Sequence, residues 1–124
     1  MSKISYILDE NVNPILRAGL LREKADLTVW QVGMIDVPPL GTLDPEILVW
    51  CEDNEFILVT NNRKSMPVHL KEHIEAGRNV PGIFILNADL GLSETITELL
   101  LIAAASTEDE YQDQIVHLPI KYRF

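Results

Sequence analysis

The chain has 124 residues, of which 47% are hydrophobic, and it carries a formal net charge of −9. This size predicts one domain over residues 1–124 with a single hydrophobic core. The negative charge argues against broad adhesion to nucleic acid or to anionic membranes, because both require clustered cations.

Membrane and secretory features are absent from the sequence pattern. The longest apolar stretch, at 99–105, is too short to span a bilayer, and residues 1–11 lack the apolar region of a signal peptide. Cys51 is the only cysteine, which excludes an internal disulfide and a cysteine-built zinc site. We therefore expect a cytoplasmic protein with no membrane partner.

The first half of the chain alternates short apolar runs with helical patterns. Asn followed by Pro, and Asp followed by Pro, are typical of helix starts, whereas short β-branched runs indicate strands. The predicted elements are a strand at 4–8, a helix from Asn13 and Pro14 to Lys24, a strand at 27–32 and a helix capped by Asp44 that ends near Asn54. A long loop rich in glycine and proline separates the last two.

The second half continues the same alternation. Gly77 is typical of a helix end, and Pro119 indicates a sheet edge or a strand end. The predicted elements are a strand at 56–60, a helix from Pro67 to Gly77, a strand at 82–86, a helix capped by Ser93 and a strand at 114–120.

Continuous apolar strands between helices predict an α/β fold, a three-layer sandwich with a central and mostly parallel sheet. Ligands of such sheets bind beyond the carboxyl ends of the strands. The polar residues expected at that edge, and expected to converge there, are Asp9, Glu10, Asn11, Asp44, Glu46, Asn61, Asn62, Asn87 and Asp89.

Carboxylates crowded at one rim repel each other unless a cation neutralises them. Mg²⁺ or Mn²⁺ prefers such hard oxygen ligands and also accepts phosphate oxygens. The pattern therefore fits metal-assisted hydrolysis of a phosphodiester. Arg63, Lys64 and His69 follow the third strand, in a stretch where cations outnumber carboxylates, and could hold the substrate strand.

Three segments carry a resemblance to a known family: "ILDENVNPILRAGL", "LDPEILVWCEDNEFILVTNNRKSMPVHL" and "GRNVPGIFIL". Over roughly residues 4–86 the chain resembles the small PIN-like proteins, distant relatives of VapC-type toxin nucleases. The resemblance implies a PIN-like domain, a metal-dependent ribonuclease activity and an acidic pocket. Its first carboxylate corresponds to Asp9, its second to Asp44, and its third position to Asn62, where the family usually has aspartate.

The resemblance also implies biological partners: RNA as the substrate, a small antitoxin protein if the chain is the toxin of a toxin–antitoxin pair, and a second copy in a homodimer. The apolar loop "WQVGMIDVPPL" at 30–40 is a surface that such a partner could cover.

Asn62 changes what the pocket can do. An amide oxygen can bind a hard cation, but it removes one negative charge and cannot act as a base at neutral pH. We therefore expect weakened metal binding and weakened activity. The candidate site comprises Asp9, Asp44 and Asn62 as catalytic and metal-binding residues, with Asn11, Asn61, Arg63, Lys64, Ser65 and His69 as substrate-binding residues.

Each candidate also has a purely structural interpretation. Asp9 and Asn11 could shape a turn, as could Asn61 and Asn62. Asp44 could be only a helix cap. Ser65 could cap the following helix, with Met66 as a hydrophobic staple.

The segment "HLKEH" at 69–73 matches the H-x-x-E-H pattern of inverted zinc proteases. We reject that interpretation, because a catalytic zinc needs a third protein ligand that the chain does not offer in a recognisable helix. We expect His69 to face the pocket and His73 to face solvent.

Three functional classes remain open. The first is the PIN-like ribonuclease, and the second is a non-catalytic PIN-like module that binds RNA or a protein. The third is a phosphate-handling enzyme or response-regulator-like receiver, which also suits an acidic pocket on a doubly wound sheet. The receiver lacks a clear phosphoacceptor aspartate after the third strand, where Asn61 and Asn62 stand.

Overall fold

The computed structural model describes residues 3–120. Its elements, in chain order, are β1 (Ser5–Leu8), α1 (Ile15–Glu23), β2 (Thr28–Gln31), α2 (Asp44–Asn54), β3 (Ile57–Thr60), α3 (Met66–Glu75), β4 (Ile83–Ile85), α4 (Leu92–Ala105) and β5 (Ile115–His117). Every predicted strand and helix is present, with ends that differ by a few residues. The α/β fold class is therefore confirmed.

The five strands form one sheet in the order β2-β1-β3-β4-β5. All four neighbouring pairs are parallel, so the sheet is wholly parallel rather than mostly parallel. β5 lies at the edge, as predicted, and Pro119 follows its end. The connections run outward from β1 to β2 and then return past β1 to β3, so the topological switch point lies between β1 and β3.

The helices cover both faces of the sheet, as a three-layer sandwich requires. Alternate side chains of a strand point to opposite faces. Tyr6 and Leu8 of β1 pack into a core with residues of α1 and α4, whereas Ile7 packs with residues of α2 and α3 on the other face. The buried Tyr6 hydroxyl donates a hydrogen bond to the Leu99 carbonyl oxygen at 2.8 Å, which ties α4 to the sheet.

The helix starts differ from the predicted caps. Asp44 is the first residue of α2 instead of its cap, and Ser93 lies inside α4, which begins at Leu92 after the extended residue Gly91. Ser65 does precede α3, but its hydroxyl bonds to Asn62 and not to the helix backbone. The predicted caps fail because no hydrogen bond joins any of these three side chains to a free backbone N–H group of its helix.

Two further local features bear on the sequence interpretation. Met66 is fully buried in the core and is the first residue of α3, whereas a hydrophobic staple precedes the cap, so Met66 packs in the core without forming a staple. Gly77 has a φ of 82°, a left-handed conformation that glycine adopts without steric penalty, in agreement with the predicted end of α3. Within residues 3–120, no helix has the length and apolar content that crossing a membrane requires.

Candidate active site

A cleft of about 310 Å³ lies at the carboxyl edge of the sheet, beside the switch point between β1 and β3. Its walls come from the segment after β1, the end of the loop before α2, the first residue of α2 and the segment after β3. The residues that line it are Asp9, Glu10, Asn11, Gly41, Thr42, Leu43, Asp44 and Asn62. All three predicted catalytic residues therefore share one cleft.

Asp9 is held rigidly at the end of β1. Its backbone N–H group donates to the Val59 carbonyl oxygen at 2.9 Å, which extends the ladder between β1 and β3 by one residue. Its Oδ1 accepts a hydrogen bond from the Glu10 backbone N–H group at 2.8 Å, and its Oδ2 accepts one from the Thr60 hydroxyl at 2.8 Å. The side chain is thus fixed from two strands.

Burial raises the pKa of the Asp9 carboxyl above its ordinary value. The hydrogen bonds from Thr60 and Glu10 lower this pKa in part, whereas the negative charges of Asp44 and Glu10 raise it further. A cation near Asp9 would offset the cost of burying its negative charge and the repulsion from Asp44 and Glu10. The electrostatics therefore favour a positively charged ligand in the cleft.

Asp44 faces the cleft from the first turn of α2. Its Oδ2 accepts a hydrogen bond from Asn62 Nδ2 at 2.8 Å, and His69 Nε2 lies 3.7 Å from the same oxygen. A carboxylate in the first turn is also stabilised by the helix dipole. His69 therefore lies beside Asp44, although it is not among the residues that line the cleft.

Asn62 bridges the two sides of the cleft. Besides its bond to Asp44, its backbone N–H group donates to the Thr60 hydroxyl oxygen at 3.1 Å. Its Oδ1 accepts from the Ser65 N–H group at 3.2 Å, and the Ser65 hydroxyl lies 2.9 Å from Oδ1 and 2.7 Å from Nδ2. A continuous chain of hydrogen bonds consequently runs from Asp9 through Thr60 and Asn62 to Asp44.

Two positioning residues were missed in the sequence interpretation. Thr60 ends an otherwise apolar strand, and Gln31 is the one polar side chain in the buried part of β2; both are buried. Gln31 Nε2 donates to the Val12 carbonyl oxygen at 2.7 Å and to that of Asp9 at 3.4 Å, so β2 fixes the turn after β1. A polar residue within a run predicted to be buried was the available signal.

The loop before α2 is attached to the cleft by Glu10. Glu10 Oε1 accepts a hydrogen bond from the Gly41 backbone N–H group at 2.8 Å. Gly41 has a φ of 85°, which allows the backbone to turn towards the carboxylate. The long loop predicted from its glycines and prolines therefore forms one wall of the cleft.

Of the remaining predicted site residues, only Asn11 lines the cleft. The Asn11 carbonyl oxygen accepts a hydrogen bond from Asn61 Nδ2 at 3.3 Å. Arg63 and Lys64 are exposed, and within residues 3–120 their side chains make no hydrogen bond or ion pair. Their cationic groups are available to a ligand.

The predicted convergence of all the polar residues at this edge is only partly correct. Asn61 and Asn87 line a separate groove, and Asp89 and Glu46 line neither cavity. Asn87 follows β4, which lies two strands away from β1, at a spacing of about 4.8 Å for each strand. That distance separates Asn87 from the Asp9 carboxylate.

The prediction that His73 faces solvent is wrong. Its side chain is buried, and Nε2 lies 3.0 Å from the Asn79 carbonyl oxygen and 3.2 Å from Glu52 Oε1. The reason is that α3 packs against α2, and His73 lies on the packed face. The two histidines of "HLKEH" therefore have different environments, in agreement with the rejection of a zinc-protease site.

The cleft offers few ligands to a divalent cation. Within the described residues, no group of three His, Cys, Asp or Glu side chains is arranged to hold a metal ion. Asp9 and Asp44 nevertheless supply hard oxygens in one cleft, and Mg²⁺ commonly uses one or two carboxylates with water and substrate phosphate. The amide oxygen of Asn62 is bonded to Ser65. The two carboxylates therefore offer oxygens of the kind that one Mg²⁺ or Mn²⁺ ion prefers, and they are too few for two ions.

Comparison of the chain with models of known protein families, with curated proteins and with solved structures found no match in any of the three.

Proposed function

We propose that this protein is a PIN-like ribonuclease that depends on one Mg²⁺ or Mn²⁺ ion and has low turnover. The observation that supports the proposal is the meeting of Asp9 and Asp44 in one cleft at the switch point of a parallel sheet. The two residues come from different segments of the chain, and the pKa of Asp9 is raised mainly by burial and to a smaller extent by the charge of Asp44. Such electrostatic coupling is typical of functional sites.

Asp9 and Asp44 would hold the ion, which when bound supplies an activated water and stabilises charge on the phosphate. Thr60 orients the Asp9 carboxylate and Asn62 orients that of Asp44. His69, 3.7 Å from Asp44, is placed to bind a phosphate oxygen or to exchange a proton at the leaving group.

The proposed substrate is single-stranded RNA. Arg63 and Lys64 directly follow Asn62 in the chain and are exposed, so their cationic groups are free to bind phosphates. With a net charge of −9, the protein offers little other attraction for a polyanion. Binding should therefore depend on the divalent cation and on these two side chains.

A non-catalytic PIN-like module that binds RNA or a protein is the second candidate. One observation favours it: the Asn62 amide already donates a hydrogen bond to Asp44 and so satisfies a carboxylate that would otherwise need a cation. In this version the cleft keeps its shape without metal, and Arg63 and Lys64 retain their binding role.

The surface proposed to bind partner proteins is the loop before α2, beside the cleft. Ile35, Leu40 and Leu43 expose 89%, 69% and 67% of their surfaces, and Leu43 also lines the cleft. Exposed apolar clusters of this kind are typical of interaction sites. An antitoxin bound there would cover the cleft mouth, and a second copy of the chain would form a homodimer.

The test is cleavage of a labelled, unstructured RNA in the presence of millimolar Mn²⁺ or of EDTA. We expect slow cleavage with Mn²⁺, none with EDTA, and a fall of at least about 100-fold in Asp9→Asn and Asp44→Asn. Glu23→Gln removes an exposed carboxylate of α1 outside the cleft and is the matched control.

Two results would decide against the nuclease. Cleavage that survives both aspartate substitutions would show that the activity comes from elsewhere. RNA binding without cleavage, in the natural protein and at every Mn²⁺ concentration, would favour the non-catalytic module.

A further inference from the structure

A second cavity, of about 530 Å³, lies next to the cleft, between the start of α1 and the segment that joins β4 to α4. We refer to it as the uncharged groove, because none of the residues lining it carries a charge, in a chain where 23% of residues are charged. Its principal lining residues are Val12, Ile15, Asn61, Leu86, Asn87 and Leu92.

The uncharged groove combines apolar surface with free amide groups. Ile15 and Leu92 expose 52% and 42% of their surfaces at its two sides. Asn87 Oδ1 accepts a hydrogen bond from the Asp89 N–H group at 2.8 Å, while Asn87 Nδ2 makes no bond to any described residue. Asn61 donates through Nδ2 to Asn11, which leaves its Oδ1 free as an acceptor. The groove thus offers one donor and one acceptor beside aliphatic walls.

The ridge between the uncharged groove and the cleft is formed by residues that are adjacent in the chain. Asn61 lines the groove and its chain neighbour Asn62 lines the cleft; likewise Val12 lines the groove and Asn11 lines the cleft. The hydrogen bond from Asn61 Nδ2 to the Asn11 carbonyl oxygen joins the two segments across the ridge. A ligand with a charged end in the cleft can therefore place an uncharged end in the groove.

A nucleotide has this division of chemistry. Its phosphate is charged, whereas its base is flat, uncharged and largely apolar on its faces, with donors and acceptors at its edges. Amide side chains are common partners of base edges. A second phosphate is a poor occupant of the groove, because no lining residue is a cation.

We propose that the uncharged groove binds one unstacked base of a single-stranded RNA whose neighbouring phosphate lies in the cleft. This inference rests on the proposed function for the nature of the ligand, and it adds a base-binding subsite to it. Asn61 and Asn87 contact the base edge, and Ile15 and Leu92 contact its faces.

The test compares two non-cleavable 2′-O-methyl RNA hexamers that differ only in the loss of one central base. We expect the natural protein to bind the complete hexamer about fivefold more tightly than the abasic one. This factor is smaller than the one typical of a base stacked on an aromatic ring, because the groove walls are aliphatic. The double variant Ile15→Gln and Leu92→Gln should lose this preference and bind the two hexamers equally.

Leu101→Gln is the matched control, because Leu101 is equally exposed on α4 and lies outside the groove. It should keep the full preference. Thermal unfolding verifies that the variants are folded, and Asn87→Ala, at an exposed position, is a second variant that should reduce the preference without affecting the core.

The outcomes separate the groove from the nuclease. Equal binding of the two hexamers by the natural protein would overturn the base subsite, even if Asp9 and Asp44 proved essential for cleavage. A base preference that depends on Ile15 and Leu92, in a protein that never cleaves RNA, would establish the subsite and refute the nuclease. An unchanged preference in the double variant would also overturn the subsite.

Discussion

The Thr60 hydroxyl donates a hydrogen bond to the Asp9 carboxylate at 2.8 Å, and the same hydroxyl oxygen accepts one from the Asn62 backbone at 3.1 Å. Thr60 is fully buried, and it joins the ends of β1 and β3 beneath the cleft. One hydroxyl therefore sets the positions of two candidate site residues. It also partly offsets the burial of the Asp9 charge.

Replacing Asp9 with asparagine should stabilise the protein at neutral pH. The folded-state pKa of Asp9 is raised above its ordinary value of 3.8, mainly by burial. At pH values between 3.8 and this raised pKa, the native state therefore binds more protons than the unfolded state. Stability is therefore lost as the pH rises through this window. We expect Asp9→Asn to raise the free energy of unfolding at pH 7 relative to that of the natural protein, and the gain to shrink as the pH falls below 3.8.

Urea unfolding at several pH values measures this difference. Asp89→Asn is the control, because Asp89 is exposed and its side chain makes no hydrogen bond to a described residue. A gain for Asp9→Asn that is the same at pH 3 and pH 7 would contradict the linkage argument.

Asn62→Asp should make the cleft dependent on a cation, because Asp44 loses the hydrogen bond that Asn62 now donates to it. The substitution removes the amide donor to Asp44 Oδ2 and places a second carboxylate beside it. Without metal, we expect the free energy of unfolding to fall by about 1–3 kcal/mol. With Mn²⁺, the melting temperature should rise more than in the natural protein, and metal binding should become about tenfold tighter.

Calorimetry and thermal unfolding with and without Mn²⁺ provide the measurements. Asn87→Asp adds the same charge outside the cleft and should show neither effect. A Mn²⁺ response of Asn62→Asp no larger than that of the natural protein would contradict the prediction that a carboxylate at position 62 adds a ligand to a divalent ion in the cleft.

The parallel α/β fold could be predicted from local pattern, because each strand is an apolar run and each helix has recognisable ends. The meeting of Asp9 with Asp44 followed from the rule that strand ends share one edge. How far along this edge each residue lies from Asp9 could not be predicted, because that distance depends on the order of the strands in the whole sheet. Asn87 ends a predicted strand just as Asp9 does, yet β4 lies on the far side of β3.

The roles of single side chains were harder to predict. The chain position of Asn62 indicates a metal ligand, whereas the structure shows its amide donating to Asp44, a choice fixed by Ser65 on its other side. The burial of His73 depends on how α3 packs against α2, which the spacing within "HLKEH" does not contain. Both roles therefore depend on contacts between residues of different elements, which the local sequence pattern does not contain.

Gly19→Ala should destabilise the protein despite the better helix propensity of alanine. Gly19 is buried in α1, and a Cβ atom there would overlap Ile96 Cδ1 of α4. The propensity gain is about 1 kcal/mol, whereas overpacking typically costs about 1–3 kcal/mol. We expect a net loss of about 1 kcal/mol in the free energy of unfolding.

A double-mutant cycle with Ile96→Val, which removes the overlapping methyl group, tests the mechanism. Ile96→Val alone should cost about 1 kcal/mol, whereas in the Gly19→Ala background it should cost little or become favourable. Additive losses would show that close packing of α1 on α4 is not the cause.

Substitutions of the two histidines of α3 should affect different properties, His69 the activity and His73 the stability. His69 lies 3.7 Å from Asp44 and is partly exposed, so His69→Ala should change the free energy of unfolding by less than about 0.5 kcal/mol while weakening Mn²⁺-dependent RNA cleavage about tenfold. His73→Ala leaves the Asn79 carbonyl oxygen and the Glu52 carboxylate without their buried partner, and it should cost about 2 kcal/mol. Urea unfolding and cleavage assays on both variants check this division, and it is refuted if His69→Ala proves the more destabilising of the two.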